Sequence, residues 1–275
     1  MEKKYTKKTF VAEVVMIAIA LVFMIPMYYL VVCTFKNQQQ ILEHPLGLPT
    51  SLSLENYSKA LASMDYWRNF GNSLLITSVS VVIVIVFGSM AAYSVSRHKT
   101  KLSTIIGALF LAGFMVPAQT TMLPLFTVMK SLHLINTYRG IILLHCNQCV
   151  FAFMMYRGFI QTIPLELEEA ARIDGCNMWQ LFWRITFPLL KPITITIAIF
   201  NVMWIWNDFM LTYLFLNSSS KATLIMQVFN GMGAFSNDWS MMMPALVLAL
   251  LPMVVFYLFM QRQIVEGVVS GAVKG

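Results

Sequence analysis

Charge is what this chain has least of. Asp, Glu, Lys and Arg make up 11% of its 275 residues, against about 25% in average soluble domains. A chain so poor in charge and 58% hydrophobic cannot cover itself with polar surface in water. No GxxxxGK[ST] phosphate loop is present, so the chain by itself binds no ATP in the Walker manner. The four histidines, His44, His98, His133 and His145, are scattered and make no HExxH motif or nucleophile and base pair. Cysteine is equally sparse: Cys33, Cys146, Cys149 and Cys176 imply no disulfide framework. Cys146 and Cys149 share a helix face beside His145, yet no second Cys or His pair exists to close a metal site, and none is expected. There is no low-complexity tract, no soluble domain and no repeat of fixed period, so 1–275 reads as a single membrane domain.

What fills the chain instead is a series of uncharged apolar stretches: 14–35, 70–96, 102–129, 140–156, 192–207 continuing past Asp208, and 239–261. In hydrocarbon every backbone polar group must find its partner inside the protein, which leaves only helices and closed barrels. These runs are too long and unbroken for alternating barrel strands. A helix needs about 20 residues to cross. The expected fold is therefore all-α, a polytopic membrane helix bundle with about six transmembrane helices, of which the fourth is short. Pro117 and Pro124 are expected to bend the third.

The cations orient this bundle, because short cytoplasmic segments retain Lys and Arg. Lys3, Lys4, Lys7, Lys8, Arg97, Lys99, Lys101, Arg157, Arg172, Arg184, Lys191, Arg262 and Lys274 fall on one side, thirteen of nineteen. Lys36, Lys59, Arg68, Lys130, Arg139 and Lys221, the remaining six, fall on the other. Both termini are expected in the cytoplasm, in a multi-pass protein of the cell membrane. The basic start and long apolar run at the N-terminus read as a retained signal anchor. The net charge of +7 flanks apolar spans instead of forming one basic face, which argues against nucleic acid.

Two extramembrane pieces are long. The outer one, 36–69, contains Pro45, Gly47 and Pro49 and a short amphipathic stretch at 54–61. The inner one, 161–191, reads PLELEEAARIDGCNMWQLFWRITFPLLKP from Pro164. Pro164 suits a first helical turn, and Glu166, Glu168 and Glu169 place negative charge at the positive end of the helix dipole. Gly175 can adopt the left-handed conformation that ends a helix, and Asn177 can cap the next. The spacing predicts a helix-turn-helix, with Leu167, Ala170, Ala171 and Asp174 on one face of the first helix. Amphipathicity alone leaves open whether the pair fills a partner's groove or packs only on its own bundle.

The residues Glu169-Ala170-Ala171, Asp174-Gly175, Ile185 and Pro188 resemble the EAA loop of ABC-importer permeases, with Cys176 and Phe187 as small departures. Met115-Val116-Pro117, Gln119, Pro124, Trp206-Asn207-Asp208-Phe209, Asp238-Trp239 and Gly271-Ala272-Val273-Lys274-Gly275 extend the resemblance to the carbohydrate branch, particularly the smaller permease subunit of maltose-type systems. The resemblance implies that 161–191 is a coupling helix seated in a cleft of an ATPase subunit. It implies an assembly of a second, similar permease, two ATPase subunits holding ATP and Mg, and an extracytoplasmic solute-binding protein. It implies a sugar as cargo and no cofactor or enzymatic activity on this chain. The loop 217–238, with Gly231, Gly233 and Asp238, resembles the flexible loop that enters the binding protein.

Asp208 is the one acid well inside an expected span, and such a group faces a cavity, a pathway or a partner. Asn207 and Asp208 either line the path, where they can hydrogen-bond sugar hydroxyls, or clamp one helix to another. Trp204 and Trp206 can stack on a sugar ring but equally suit a membrane interface. Gln119 is a further candidate for the path. An importer for another solute, an ion-coupled secondary transporter and an intramembrane enzyme are the competing readings. The second would show more buried titratable groups, and the third lacks a nucleophile and base.

Overall fold

The computed structural model describes residues 6–98, 100–234 and 238–272, the side chains of 232–234 and 265–272 excepted. Lys3, Lys4, Lys99 and Lys274 of the cation count, and Val273-Lys274-Gly275 of the terminal motif, lie outside the described residues.

Among the described residues every regular element is helical. In chain order these are α1 (Lys7–Cys33), α2 (Gln38–Glu43), α3 (Glu55–Ser63), α4 (Tyr66–Arg97), α5 (Lys101–Met115), α6 (Ala118–Ser131), α7 (Tyr138–His145) and α8 (Cys149–Ile160). There follow α9 (Glu166–Ile173), α10 (Met178–Gln180), α11 (Phe187–Leu189), α12 (Lys191–Trp206), α13 (Met210–Phe215), α14 (Leu224–Ala234) and α15 (Trp239–Ala272). A 3₁₀ turn joins α7 to α8, a π-helical stretch (Leu181–Thr186) joins α10 to α11, and a second 3₁₀ turn lies at Ser219–Lys221.

The chain is an all-α, polytopic membrane protein. Three helices, α1, α4 and α15, are each long and apolar enough to cross a bilayer alone. Two more candidates are bent pairs: α5 with α6, at 106°, and Met178–Leu189 with α12, at 76°. The expected third span is thus broken. Val116 precedes Pro117 and takes extended angles (φ −80, ψ 120), as the proline ring's clash with a helical predecessor requires. Pro124, by contrast, lies within α6. The expected fourth stretch is carried by α7, the 3₁₀ turn and α8.

The described chain forms two compact units. The first comprises Met1–Tyr66 and Gln227–Pro252. None of the apolar window of α1 is buried, a surface that only lipid or another subunit can cover. After α1 the chain is folded, not loose. Lys36 is 1% exposed and donates its Nζ to the carbonyls of His44 (2.8 Å) and Pro45 (3.0 Å) just beyond α2, where a cation also meets the negative end of the helix. Asn56 on α3 donates to the carbonyls of Thr34 (3.0 Å) and Lys36 (2.9 Å). Small apolar groups, Cys33, Ile41 and Met243, then Ala60, Met64 and Ala245, form its buried clusters.

The second unit comprises Trp67–Met226 and Met253–Gly275, and α4 serves two cores within its described residues. Val84, Ala92 and Tyr93 pack with Phe153, Tyr156 and Ile160 of α8, with Leu181 and Phe182, and with Leu190 and Ile197. Ile76 and Val81 pack with Ile141, Leu144, Ile205 and Phe215. Gly88 permits the approach of α4 to α8: a Cβ there would lie 2.7 Å from that of Ala152. Near its start α4 supplies Asn72, which donates to the carbonyls of Ser220 (3.1 Å) and Ala222 (2.8 Å) and accepts from the Tyr138 hydroxyl (2.8 Å).

Candidate functional site

The loop 161–191 is built almost entirely by local chemistry. Helix α9 opens just after Pro164, with the Leu165 carbonyl accepting from Glu168 (2.9 Å) and Glu169 (3.1 Å) and three acids in its first turn. At its other end Gly175 has φ +83. Its N–H returns to the Arg172 carbonyl (3.0 Å), and that of Cys176 to Ala171 (3.0 Å), the paired bonds of a Schellman motif. Ala171 belongs to the buried cluster against which Cys176 packs, the two positions whose apolar contact accompanies such motifs. Asn177 then accepts from the Gln180 backbone (2.9 Å) while the Gln180 side chain accepts from the Asn177 backbone (3.0 Å), a reciprocal capping box that starts α10.

One face of this hairpin is buried and the other bare. Ala171 turns inward and packs with Ile163, Leu181 and Phe182, so it cannot share an outer face with Ala170; Ile185 is half-buried against the same cluster. Glu169, Ala170, Asp174, Gly175 and Pro188 are exposed, and Ile173 beside the turn is 87% exposed. Ala171 and Ile185 therefore hold the loop to its own bundle, while Glu169, Ala170, Ile173, Asp174 and Gly175 leave the turn and the helix before it exposed.

Glu168, in sequence one of three acids at the helix N-terminus, ties this arrangement together. Glu168 is 1% exposed, its Oε1 lies 2.8 Å from Arg97 Nε, and its Oε2 accepts from the Tyr93 hydroxyl (3.2 Å). Nothing in a single sequence pairs residues 71 positions apart.

The second candidate region is the end of α12. Asp208 is not within a helix: α12 stops at Trp206, Asn207 is its C-cap, and Asp208 lies half-buried in the break before α13. Its carboxylate receives the backbone N–H groups of Leu211 (3.5 Å) and Thr212 (3.3 Å) in the first turn of α13. The Asn207 amide donates back to Met203 (2.8 Å). Trp206 is buried with its ring 5.8 Å from that of Phe70, whereas Trp204 is exposed and contacts Phe151 edge-on at 4.8 Å. Gln119 is exposed in the first turn of α6. Of the pathway candidates, Asn207 and Asp208 are thus adjacent in one helix break, and Trp206 is a packing residue.

Of the stretch 217–238, expected to be a flexible loop, residues 235–237 lie outside the described residues, and most of the described ones are helical. Thr223 Oγ1 accepts from Met226 N (3.3 Å), and the apolar run that follows forms α14, which contains Gly231 and Gly233. Isolated glycines lower a helix's stability without forbidding it. Asp238 accepts from Ser240 N (3.1 Å), Ser240 Oγ (2.6 Å) and Met241 N (3.2 Å) and so caps α15. Among the described residues no group of three His, Cys, Asp or Glu side chains is placed to hold a metal ion.

Comparison with known proteins places this arrangement. The pattern of the family described as "Binding-protein-dependent transport system inner membrane component" matches residues 84–269. The probable starch degradation products transport system permease protein AmyC of Thermoanaerobacterium thermosulfurigenes is 36% identical over 259 residues, covering 94% of each chain. The melibiose/raffinose/stachyose import permease protein MelC of Bacillus subtilis is 35% identical over 272 residues, covering 98% of each. A chain in the crystal structure of a bacterial ABC transporter involved in the import of the acidic polysaccharide alginate has the same fold: TM-score 0.81 at 22% identity, covering 94% of this chain and 99% of that one. The chain belongs to the family of inner membrane components of binding-protein-dependent transport systems.

Proposed function

We propose that this chain is one of two permease subunits of an ATP-driven importer that moves an oligosaccharide into the cytoplasm. Its partners on this reading are a second, similar permease, two ATPase subunits and an extracytoplasmic solute-binding protein, with ATP and Mg held by the ATPases. The observation that carries the reading is the 161–191 hairpin. Its inner face is packed on the bundle, while Glu169, Ala170, Ile173 and Gly175 are exposed, as a segment that docks in another subunit requires. The cargo class rests on relatives named for starch degradation products and for melibiose, raffinose and stachyose. Asp208, the acid that ion coupling would need, already serves two backbone N–H groups of its own chain.

Orientation follows from the cations: with both termini in the cytoplasm, reporters fused near Gly175 read inside and those near Gly47 or Asn217 read outside. The α14 segment and Asp238 would then face the binding protein. The deciding experiment is ATP hydrolysis by the reconstituted complex with its cognate binding protein across mono- and oligosaccharides. Stimulation by an oligosaccharide supports the reading; a complex silent to every sugar but stimulated by another solute replaces the cargo.

A further inference from the structure

Two adjacent acids of the hairpin have opposite fates. Glu169 is exposed, whereas the Glu168 side chain is 2% exposed and that of Arg97, its ion-pair partner, 10%. The Glu168 carboxylate has three donors: Arg97 Nε at 2.8 Å, the Tyr93 hydroxyl at 3.2 Å and the Thr186 hydroxyl at 3.5 Å. Arg97 in turn donates through Nη2 to the Ile163 carbonyl at 3.1 Å, on the connection into α9. One carboxylate thereby joins the end of α4, α9 and the π-helical stretch leading to α11 and α12. Burying such a pair is a poor route to stability, since well-packed apolar groups do as well or better. What it supplies is direction. Apolar contacts such as those of Ala171 allow neighbouring helices to slide, but a carboxylate held by three donors has one geometry.

We propose that Glu168 is a strut that makes the hairpin and the end of α4 move as one body, so that displacement of the exposed turn is delivered to the membrane helices. The proposal rests on the importer reading above; the strut itself does not face the ATPase.

The test compares Glu168→Gln, the double variant Arg97→Met with Glu168→Met, and the exposed neighbour Glu169→Gln. Each is placed in the full reconstituted complex, with Cys33, Cys146 and Cys149 replaced so that Cys176 is the single thiol of this chain. Without any sugar, the labelling rate of Cys176 by a maleimide reads attachment of the turn: it rises in Glu168→Gln and in the double variant and is unchanged in Glu169→Gln. With maltotriose or raffinose and binding protein, Glu168→Gln keeps co-purification of the ATPase and its basal hydrolysis. Sugar imported per ATP hydrolysed falls about 5- to 150-fold, the range of an ordinary coupling between sites. The double variant, packed but without the directional bonds, shows the same fall.

Unchanged Cys176 labelling overturns the strut whatever is transported. So does a wild-type ratio of sugar to ATP, or loss of ATPase co-purification in Glu168→Gln, which would move the acid to the docking face. Should Glu168→Gln fail to accumulate, the double variant decides: normal coupling in it, or its own failure to accumulate, reduces the pair to a folding element. A wild-type complex silent to both sugars refutes the importer reading for those cargoes, while the labelling result still decides the strut.

Discussion

The chain has two helix joints in its larger unit that do the same geometric work with different chemistry. Between α9 and α10 the turn is made in the backbone: Gly175 takes φ +83, and two N–H groups return to Ala171 and Arg172. Between α12 and α13 no residue takes a positive φ; the joint is held by side chains, Asn207 closing the first helix and Asp208 opening the second. Thr212 reinforces it by donating to the carbonyls of Asp208 (3.0 Å) and Phe209 (2.9 Å). The first joint is legible in a sequence because glycine before a capping Asn has few other uses. The second is disguised, since an acid in an apolar run looks like a group kept for function.

The sharpest way to break this comparison is Gly175→Val. A β-branched residue in the left-handed region is strained by about 1–2 kcal/mol, although a Cβ at Gly175 would meet nothing within 4 Å of its own chain. The spans should insert and the permease pair form, while sugar-dependent ATP hydrolysis and transport are abolished. Gly175→Asn, which tolerates the left-handed region, should retain most activity. If Gly175→Val transports normally, the hairpin is not the coupling element.

The second joint gives a smaller effect and a cleaner choice. Asp208→Leu removes the acceptor for two N–H groups and should cost about 0.5–2 kcal/mol, as loss of a helix cap does; measured sugar uptake should fall with assembly and basal hydrolysis intact. Asp208→Asn keeps one acceptor oxygen where the carboxylate used two, Oδ1 for Leu211 and Oδ2 for Thr212, and should transport better than Asp208→Leu. Equal damage by Asn and Leu would show that the charge itself is used, and the acid then belongs to the translocation path.

How far the sequence could be read follows the same division. Helical class, membrane residence, the hairpin with its glycine and its Asn177 cap, and the break at Pro117 were all visible, because each depends on residues close in sequence or on bulk composition. What escaped was long-range or two-valued. Arg97 counted as an orienting cation and Glu168 as a dipole charge, and only folding brings them to 2.8 Å. Lys36 counted as one cation of an outer loop, yet it is buried on two carbonyls. The connection 217–238, expected to be a flexible loop between two spans, holds helix α14, its apolar residues having outweighed Gly231 and Gly233.

That last case is testable with a modest change. Gly231→Ala in the interior of α14 should stabilise the helix by up to about 1 kcal/mol and leave stimulation by loaded binding protein unaltered. A fall in stimulation would mean that the segment must unwind when the binding protein engages, and the glycine is there to let it.

The smallest expected effect belongs to Glu169, and its size separates the two acids of the hairpin. Glu169 is in the first turn of α9 with its side chain in solvent, so within this chain it acts only through the helix dipole, worth about 0.3–1 kcal/mol at an exposed site. Reversing it in Glu169→Lys should weaken α9 by that order, which corresponds to less than the tenfold that about 1.4 kcal/mol brings. Salt screens a dipole effect and a surface ion pair alike, so stimulated hydrolysis in a charge swap resolves the cause: only a pair with a basic group on the ATPase loses more than tenfold on reversal and recovers when that group is reversed too. A loss within the dipole range leaves Gly175 and the exposed apolar surface around Ile173 as what the partner reads, and shape outweighs charge at this contact.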